Sequence, residues 1–264
     1  MKLTLIKSFF LLVFVTTFLQ PGFPQGQTSL ILKTAINHPI QYFISLPQGW
    51  NKNKKWPVLL VIESADKQYK INAERFINAR GNLPFIIVAP FIVTNGSQGQ
   101  RDPAVFPYST NTWDRIDKEG VCNFDKDGIN QIIKDVQIAY GAEDKYFVTG
   151  FEAGNHLLWT LVLQQPEQLY AAAPVAGNFI GRCMDASLFS IHPAREFLPV
   201  CSFYGEMDEY WTKGFHTQDL NARKLAKDHG YKNITEKEIK NKGHVPLPEE
   251  VTTYFASLDS SQKQ

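Results

Sequence analysis

The chain has few cysteines, no excess of charge of either sign, no internal repeat, and no long apolar run beyond its beginning. Only three cysteines occur, Cys122, Cys183 and Cys201, too few for a disulfide-dense scaffold, and their spacing is not a zinc-ligand pattern. One bridge with one thiol left over is open, Cys183–Cys201 being the pair closest in sequence; buried unpaired thiols are the alternative. The formal net charge is +1, which argues against nucleic acid or an anionic membrane as the main partner. Lys52, Lys54 and Lys55 form only a small basic cluster, read as a solvated turn. The one biased stretch is the short tail 260–264.

What is present begins with a compartment signal. Lys2 and Lys7 precede an uncharged apolar run from Phe9 to Leu19, and Gln20, Pro21, Gly22 and Pro24 follow. A basic start, a short greasy middle and a broken polar end read as a signal peptide over residues 1–25, implying a secreted or periplasmic protein. The run is short for a membrane span, and no span is expected after cleavage; an uncleaved anchor is the rival reading. No cysteine near the end of the run points to lipidation, and no A-x-A fixes the cleavage point. Residues 26–264 suffice for a single domain with one large core.

Apolar runs at 58–62, 84–89, 146–149, 171–175 and 200–204 predict strands buried on both faces, with 29–33 and 41–45 as an early pair and 234–239 a weaker last strand. Helices are predicted over 71–79, 125–140, 154–164, 214–229 and 249–258. In 125–140, Ile129, Ile132, Ile133 and Val136 share one helix face. Buried strands alternating with helices imply an α/β architecture with a mostly parallel central sheet and helices on both faces. Residues 93–121 lack such a pattern and read as a long loop carrying Phe106, Tyr108 and Trp113. Those rings either line a binding site or pin the loop to the body.

The most informative stretch is Gly150-Phe151-Glu152-Ala153-Gly154, directly after an apolar strand and before a helix. It has the spacing of the G-x-S-x-G nucleophile elbow, whose central residue projects above the sheet while small flanks let strand and helix approach. The centre here is Glu152. The segment from 124 through 177, with its acidic turn, elbow, Gln165-Pro166-Glu167 and Ala171-Ala-Ala-Pro-Val-Ala-Gly177, resembles secreted polyhydroxybutyrate-depolymerase-like and feruloyl-esterase-like proteins of the α/β-hydrolase superfamily. The resemblance extends more weakly from about Gln41 to the last helix. It implies an α/β-hydrolase fold with Asp208, in Gly205-Glu-Met-Asp208, as the acid and His244, in Lys242-Gly243-His244, as the base. The segment between the strands at 171–175 and 200–204 is too short for a cap domain. His156, one turn into the elbow helix, is expected to pack or to sit at the rim.

Two departures follow from the resemblance. Glu152 replaces the serine, and Glu63-Ser64 stands where these proteins show His-Gly in the loop that donates one oxyanion N–H. The other donor, the N–H of Ala153, is retained. A glutamate titrates near ~4.3 and needs no base, and its attack on an ester would form an anhydride. A lost oxyanion donor costs roughly 3–4 kcal/mol, and a second anion at Glu63 would add to that. Three readings stay open. The first is a non-catalytic, pocket-bearing binding protein in which Glu152 and Asp208 both bond a protonated His244. The second is a hydrolase using Glu152 as nucleophile or general base, as carboxylates act in haloalkane dehalogenases and epoxide hydrolases. The third is a divalent-metal site of Glu152, Asp208 and His244. The elbow explains all three residues without a metal, and no cofactor is implied. The ligand expected by resemblance is a small-molecule or carbohydrate-linked ester, with Tyr210 and Trp211 the better aromatic pair to face it. Asn95-Gly-Ser97 and Asn233-Ile-Thr235 match the glycosylation pattern.

Overall fold

A computed structural model describes residues 29–95 and 101–262. The expected signal peptide at 1–25 lies outside the described residues, as does Ser97. Eight strands form one sheet in the order β1-β2-β4-β3-β5-β6-β7-β8. Strands β1 (Ile31–Thr34) and β2 (Gln41–Ser45) pair antiparallel, with Ile31 opposite Ile44, and β2 pairs antiparallel with β4 (Ile86–Pro90). From β4 onward every pairing is parallel, through β3 (Trp56–Ile62), β5 (Ala142–Phe151), β6 (Leu169–Val175), β7 (Val200–Gly205) and β8 (Ile234–Ile239).

The continuous apolar runs are explained by two cores, one on each face. Val58, Leu60 and Ile62 of β3 join the first cluster, with Ile129, Ile132 and Val136 of α3 (Val121–Tyr140), Leu157 to Leu163 of α4 (Asn155–Gln164), and Ala222 and Ala226 of α6 (His216–Asp228). Leu59 and Val61 point the other way, to Ala73 and Phe76 of α1 (Tyr69–Arg80) and Val251 and Phe255 of α7 (Pro248–Gln262). A period of two along a wholly apolar strand therefore feeds both layers. β8 differs because it is an edge. Thr235, Glu236, Lys237 and Glu238 are all exposed there, which accounts for its weak pattern.

The long loop expected at 93–121 contains a helix. Ser109 caps α2 (Thr110–Glu119) by accepting from the N–H of Thr112, and α3 starts at Val121 rather than near 125. Only Ile116 of α2 is buried, with Trp113 partly buried three residues before it, so the apolar face is two residues in an otherwise polar helix whose start Ser109 caps. The segment between β6 and β7 holds one 3-10 turn at Ala186–Leu188 and the short helix α5 (Ala194–Phe197), and no cap domain. Among the described residues no helix is long and apolar enough to cross a membrane.

The disulfide joins Cys122 to Cys183, and Cys201 is free and buried. The sequence-nearest pair, Cys183–Cys201, does not form. Cys201 faces the α1/α7 core from inside β7, whereas Cys183 lies in the loop after β6 beside the first turn of α3. The bridge closes a separation of 61 residues, for which chain entropy gives about 4 kcal/mol, with measured bridges spanning about 2–5. Reduction, or Cys122→Ser, is expected to lower the denaturant midpoint by about 2–4 kcal/mol of stability. An unchanged midpoint after complete thiol titration would show that the bridge contributes nothing.

Candidate functional site

The elbow is held open by steric limits on both sides. Glu152 sits at φ 49°, left-handed backbone that non-glycine residues rarely adopt. A Cβ on Gly154 would lie 2.7 Å from the carbonyl oxygen of Ile62, and one on Gly150 would meet the Gly154 backbone at 3.0 Å. The spacing of small residues is thus required for α4 to leave β5 so close to β3. Asn155, fully buried, donates from Nδ2 to the Val175 carbonyl at 2.7 Å and ties the helix start to the end of β6.

From that apex the Glu152 carboxylate turns toward two loops. Oε2 accepts from the backbone N–H of Ala65 at 3.1 Å, in the loop after β3. Oε1 accepts from Nδ2 of Asn178 at 2.5 Å, just past β6. Ala65 lies in the loop after β3 that the resemblance expects to supply an oxyanion donor, and its N–H is taken up by the carboxylate.

The structure brings Asp208 and His244 together. His244 Nδ1 lies 2.9 Å from Asp208 Oδ2, and Asp208 Oδ1 accepts from the N–H groups of Tyr210 at 2.9 Å and Trp211 at 3.3 Å. Their loops are pressed together: Met207 N–H donates to the Lys242 carbonyl at 2.8 Å, and a Cβ on Gly205 would come within 2.3 Å of that oxygen. The Asp208 side chain is 1% exposed and that of His244 is 24% exposed. Phe151, Tyr210 and Phe215 surround the imidazole with ring centroids at 4.8, 4.7 and 5.8 Å.

Glu152 makes neither a hydrogen bond nor an ion pair with His244, so the expected doubly bonded His244 is not what forms. The geometric reason is that Ala65 and Asn178 draw the carboxylate away. Among the described residues no group of three His, Cys, Asp or Glu side chains is placed to ligate a metal, so the metal arrangement of Glu152, Asp208 and His244 is not assembled. Glu63 is buried, with Oε1 accepting from Ser64 Oγ at 2.8 Å and Oε2 unpartnered. Burial pushes its carboxyl above the usual range, against the hydrogen bonds from Ser64.

The other candidates separate cleanly. Phe106 is buried against Tyr69, Tyr108 and Trp113, and Tyr108 Oη accepts from Gln41 N–H at 3.3 Å, so these rings pin their segment to the body. Trp211 is buried flat on Tyr204 at 4.1 Å, leaving only Tyr210 of that pair beside His244. His156 is buried with Nδ1 unpartnered, and burial, helped by Arg182, holds it down to about 4, as a packing residue would be. Asn95 is fully buried and donates to the Glu63 carbonyl, so a glycan cannot be accommodated there, whereas Asn233 is exposed.

Sequence reasoning missed Ala65 and Asn178. Both follow carboxyl ends of parallel strands, the edge where ligands gather in open α/β sheets, and that position was their only signal. It also missed Asp125. This fully buried carboxyl accepts from Val93 N–H at 3.0 Å, Thr94 N–H at 2.7 Å and Thr94 Oγ at 2.7 Å, and so holds the loop after β4. Arg182 donates to the Thr94 carbonyl at 2.7 Å, linking that loop to the one after β6. Burial outweighs the hydrogen bonds and raises Asp125 to about 7.

No protein-family model matches the sequence, and no curated protein matches it. Solved structures are similar in fold. A thermostable esterase aligns at 18% identity and TM-score 0.54 over 89% of this chain, which spans 61% of that protein. The poly(3-hydroxybutyrate) depolymerase from Bordetella parapertussis aligns at 12% identity and TM-score 0.55 over 89% of this chain and 90% of its own. The S-formylglutathione hydrolase from Staphylococcus aureus aligns at 10% identity and TM-score 0.57 over 87% and 95%. With the strand order above, these likenesses show an α/β-hydrolase fold.

Two outcomes are expected. Glu152→Ala and Glu152→Gly lose the same two hydrogen bonds, but only glycine relieves the positive φ. Glu152→Gly should therefore unfold with about 1 kcal/mol more stability than Glu152→Ala, and equal midpoints would refute strain at the elbow. For Asp125 the folded-state value lies above the unfolded one of about 3.9. Its stabilising contribution is complete below about pH 4 and is lost as pH rises through about 7. Asp125→Asn should flatten Tm against pH across that window and, by leaving a buried N–H unpaired, cost about 1–3 kcal/mol. An unchanged slope in the variant would assign the pH dependence elsewhere.

Proposed function

We propose that this chain is a secreted or periplasmic esterase-like protein that does not perform serine-type acyl transfer and instead keeps the hydrolase site as a binding face for a small organic ligand. The observation that carries this reading is the hydrogen bond from Ala65 N–H to Glu152 Oε2. In the acyl-transfer mechanism the elbow residue attacks and the oxyanion donors stabilise the charge that develops. Here the elbow residue holds one of those donors itself. A carbonyl oxygen entering this place meets a carboxylate where it needs an N–H.

Glutamate also cannot substitute as the attacking group on an ester, because the acyl product would be an anhydride. Both carboxylate oxygens are engaged by Ala65 and Asn178, and neither is linked to His244. The Asp208–His244 pair remains oriented but has no hydroxyl to deprotonate. The Cys122–Cys183 bridge supports the oxidising compartment that the basic and apolar beginning of the sequence suggests.

The native protein is expected to hydrolyse neither aryl acetates nor feruloyl esters above the buffer rate. Glu152→Ser frees the Ala65 N–H and gives His244 a hydroxyl, so weak esterase activity should appear and vanish again on His244→Ala. Robust native turnover that Glu152→Gln abolishes would sink the proposal and favour carboxylate chemistry, to be profiled on epoxides and haloalkanes.

A further inference from the structure

We infer that the ligand of this face is an organic cation: a primary ammonium group seated between the Glu152 carboxylate and the His244 imidazole, with an apolar tail along the exposed rim. The inference rests on the non-catalytic reading and names its ligand class.

Four features of different kinds point the same way. The first is the carboxylate. Glu152 is half-buried and accepts one N–H and one amide NH2, and no Lys or Arg among the described residues forms an ion pair with it. A carboxylate offers about four acceptor sites, so acceptor capacity is left over without a compensating positive charge. The second is the imidazole. Asp208 holds Nδ1 as the donor, which makes Nε2 an acceptor in the neutral ring. Two acceptors suit an ammonium group, which donates three hydrogens and accepts none.

The third feature is the exposed Tyr210 ring beside the imidazole, since aromatic ring faces attract cations. Tyr210 already has a cation over it, the Lys213 ammonium at 5.8 Å from the ring centroid, while Lys213 pairs with Glu209. The fourth is the rim. Ile180, Met207 and Val245 are exposed, and they belong to the loops that carry Asn178, Asp208 and His244. An apolar tail would cover them. An ester or a free carboxylate gains the same apolar contact but places oxygens against the carboxylate of Glu152.

The test is calorimetric titration of the intact protein at neutral pH with n-hexylammonium, hexanoate and methyl hexanoate, with hydrolysis of the ester followed in parallel. n-Hexylammonium is expected to bind at least about tenfold more tightly than either of the others. Glu152→Gln, checked for cooperative unfolding, should weaken it by about tenfold or more. Tyr210→Ala, at an exposed ring, should weaken it too, and it serves as the readout if Glu152→Gln does not fold. Equal or tighter binding of hexanoate or the ester, no binding of any of the three, or amine affinity unchanged in both variants would overturn the inference. Hydrolysis of methyl hexanoate by the native protein would instead overturn the non-catalytic reading, whatever the affinities are.

Discussion

The arrangement at the carboxyl edge of the sheet depends on one carboxylate that bridges a backbone N–H and a side-chain amide. Glu152 stands in the turn directly after β5 and bonds Ala65 after β3 and Asn178 after β6, so three neighbouring strands have their exits joined through a single side chain. The linkage continues outward. Arg182 reaches from the β6 loop to the Thr94 carbonyl, Asp125 clamps the same Thr94 from α3, and Cys122–Cys183 closes the circuit covalently. Loops are normally the least restrained parts of such a fold. Here a charged hydrogen-bonded hub, a buried carboxyl and a disulfide restrain them together.

The site consequently has two halves, in contact where the Phe151 ring packs against the His244 imidazole. One consists of the loops after β3, β5 and β6 around Glu152. The other consists of the loops after β7 and β8, where backbone contact between Met207 and Lys242 sets Asp208 beside His244. In an acyl-transfer site the serine hydroxyl would join these halves by bonding the histidine. Glu152 at the apex bonds only within the first half, to Ala65 and Asn178, and the Asp208–His244 hydrogen bond does not involve it.

Much of this was legible in the sequence, for definable reasons. Strands such as Trp56–Ile62 are apolar at every position because they feed two cores, and that pattern has few other causes. The elbow was legible because its glycines answer to close backbone contacts measured in ångströms. Asp208 and His244 were legible through resemblance and chain order. By contrast, α2 is short, and its apolar face is only Trp113 and Ile116 among polar and charged residues. The disulfide partner was hidden because distance along the chain says little about which loops meet above a sheet. Ala65 acts through its backbone, so its side chain could not announce it, and Asn178 is one polar residue among many in a loop. The direction in which Glu152 points is set by those two, which is why its detachment from His244 could not be read beforehand.

The bridge between Cys122 and Cys183 has a topological consequence. The stretch it encloses contains β5, the Glu152 apex, α4, β6 and Asn178. Cutting the backbone once inside that stretch would leave a molecule whose two pieces are still fastened to each other, with the apex unable to diffuse away. Where a protease cuts there, the nick would be a local wound rather than a severance.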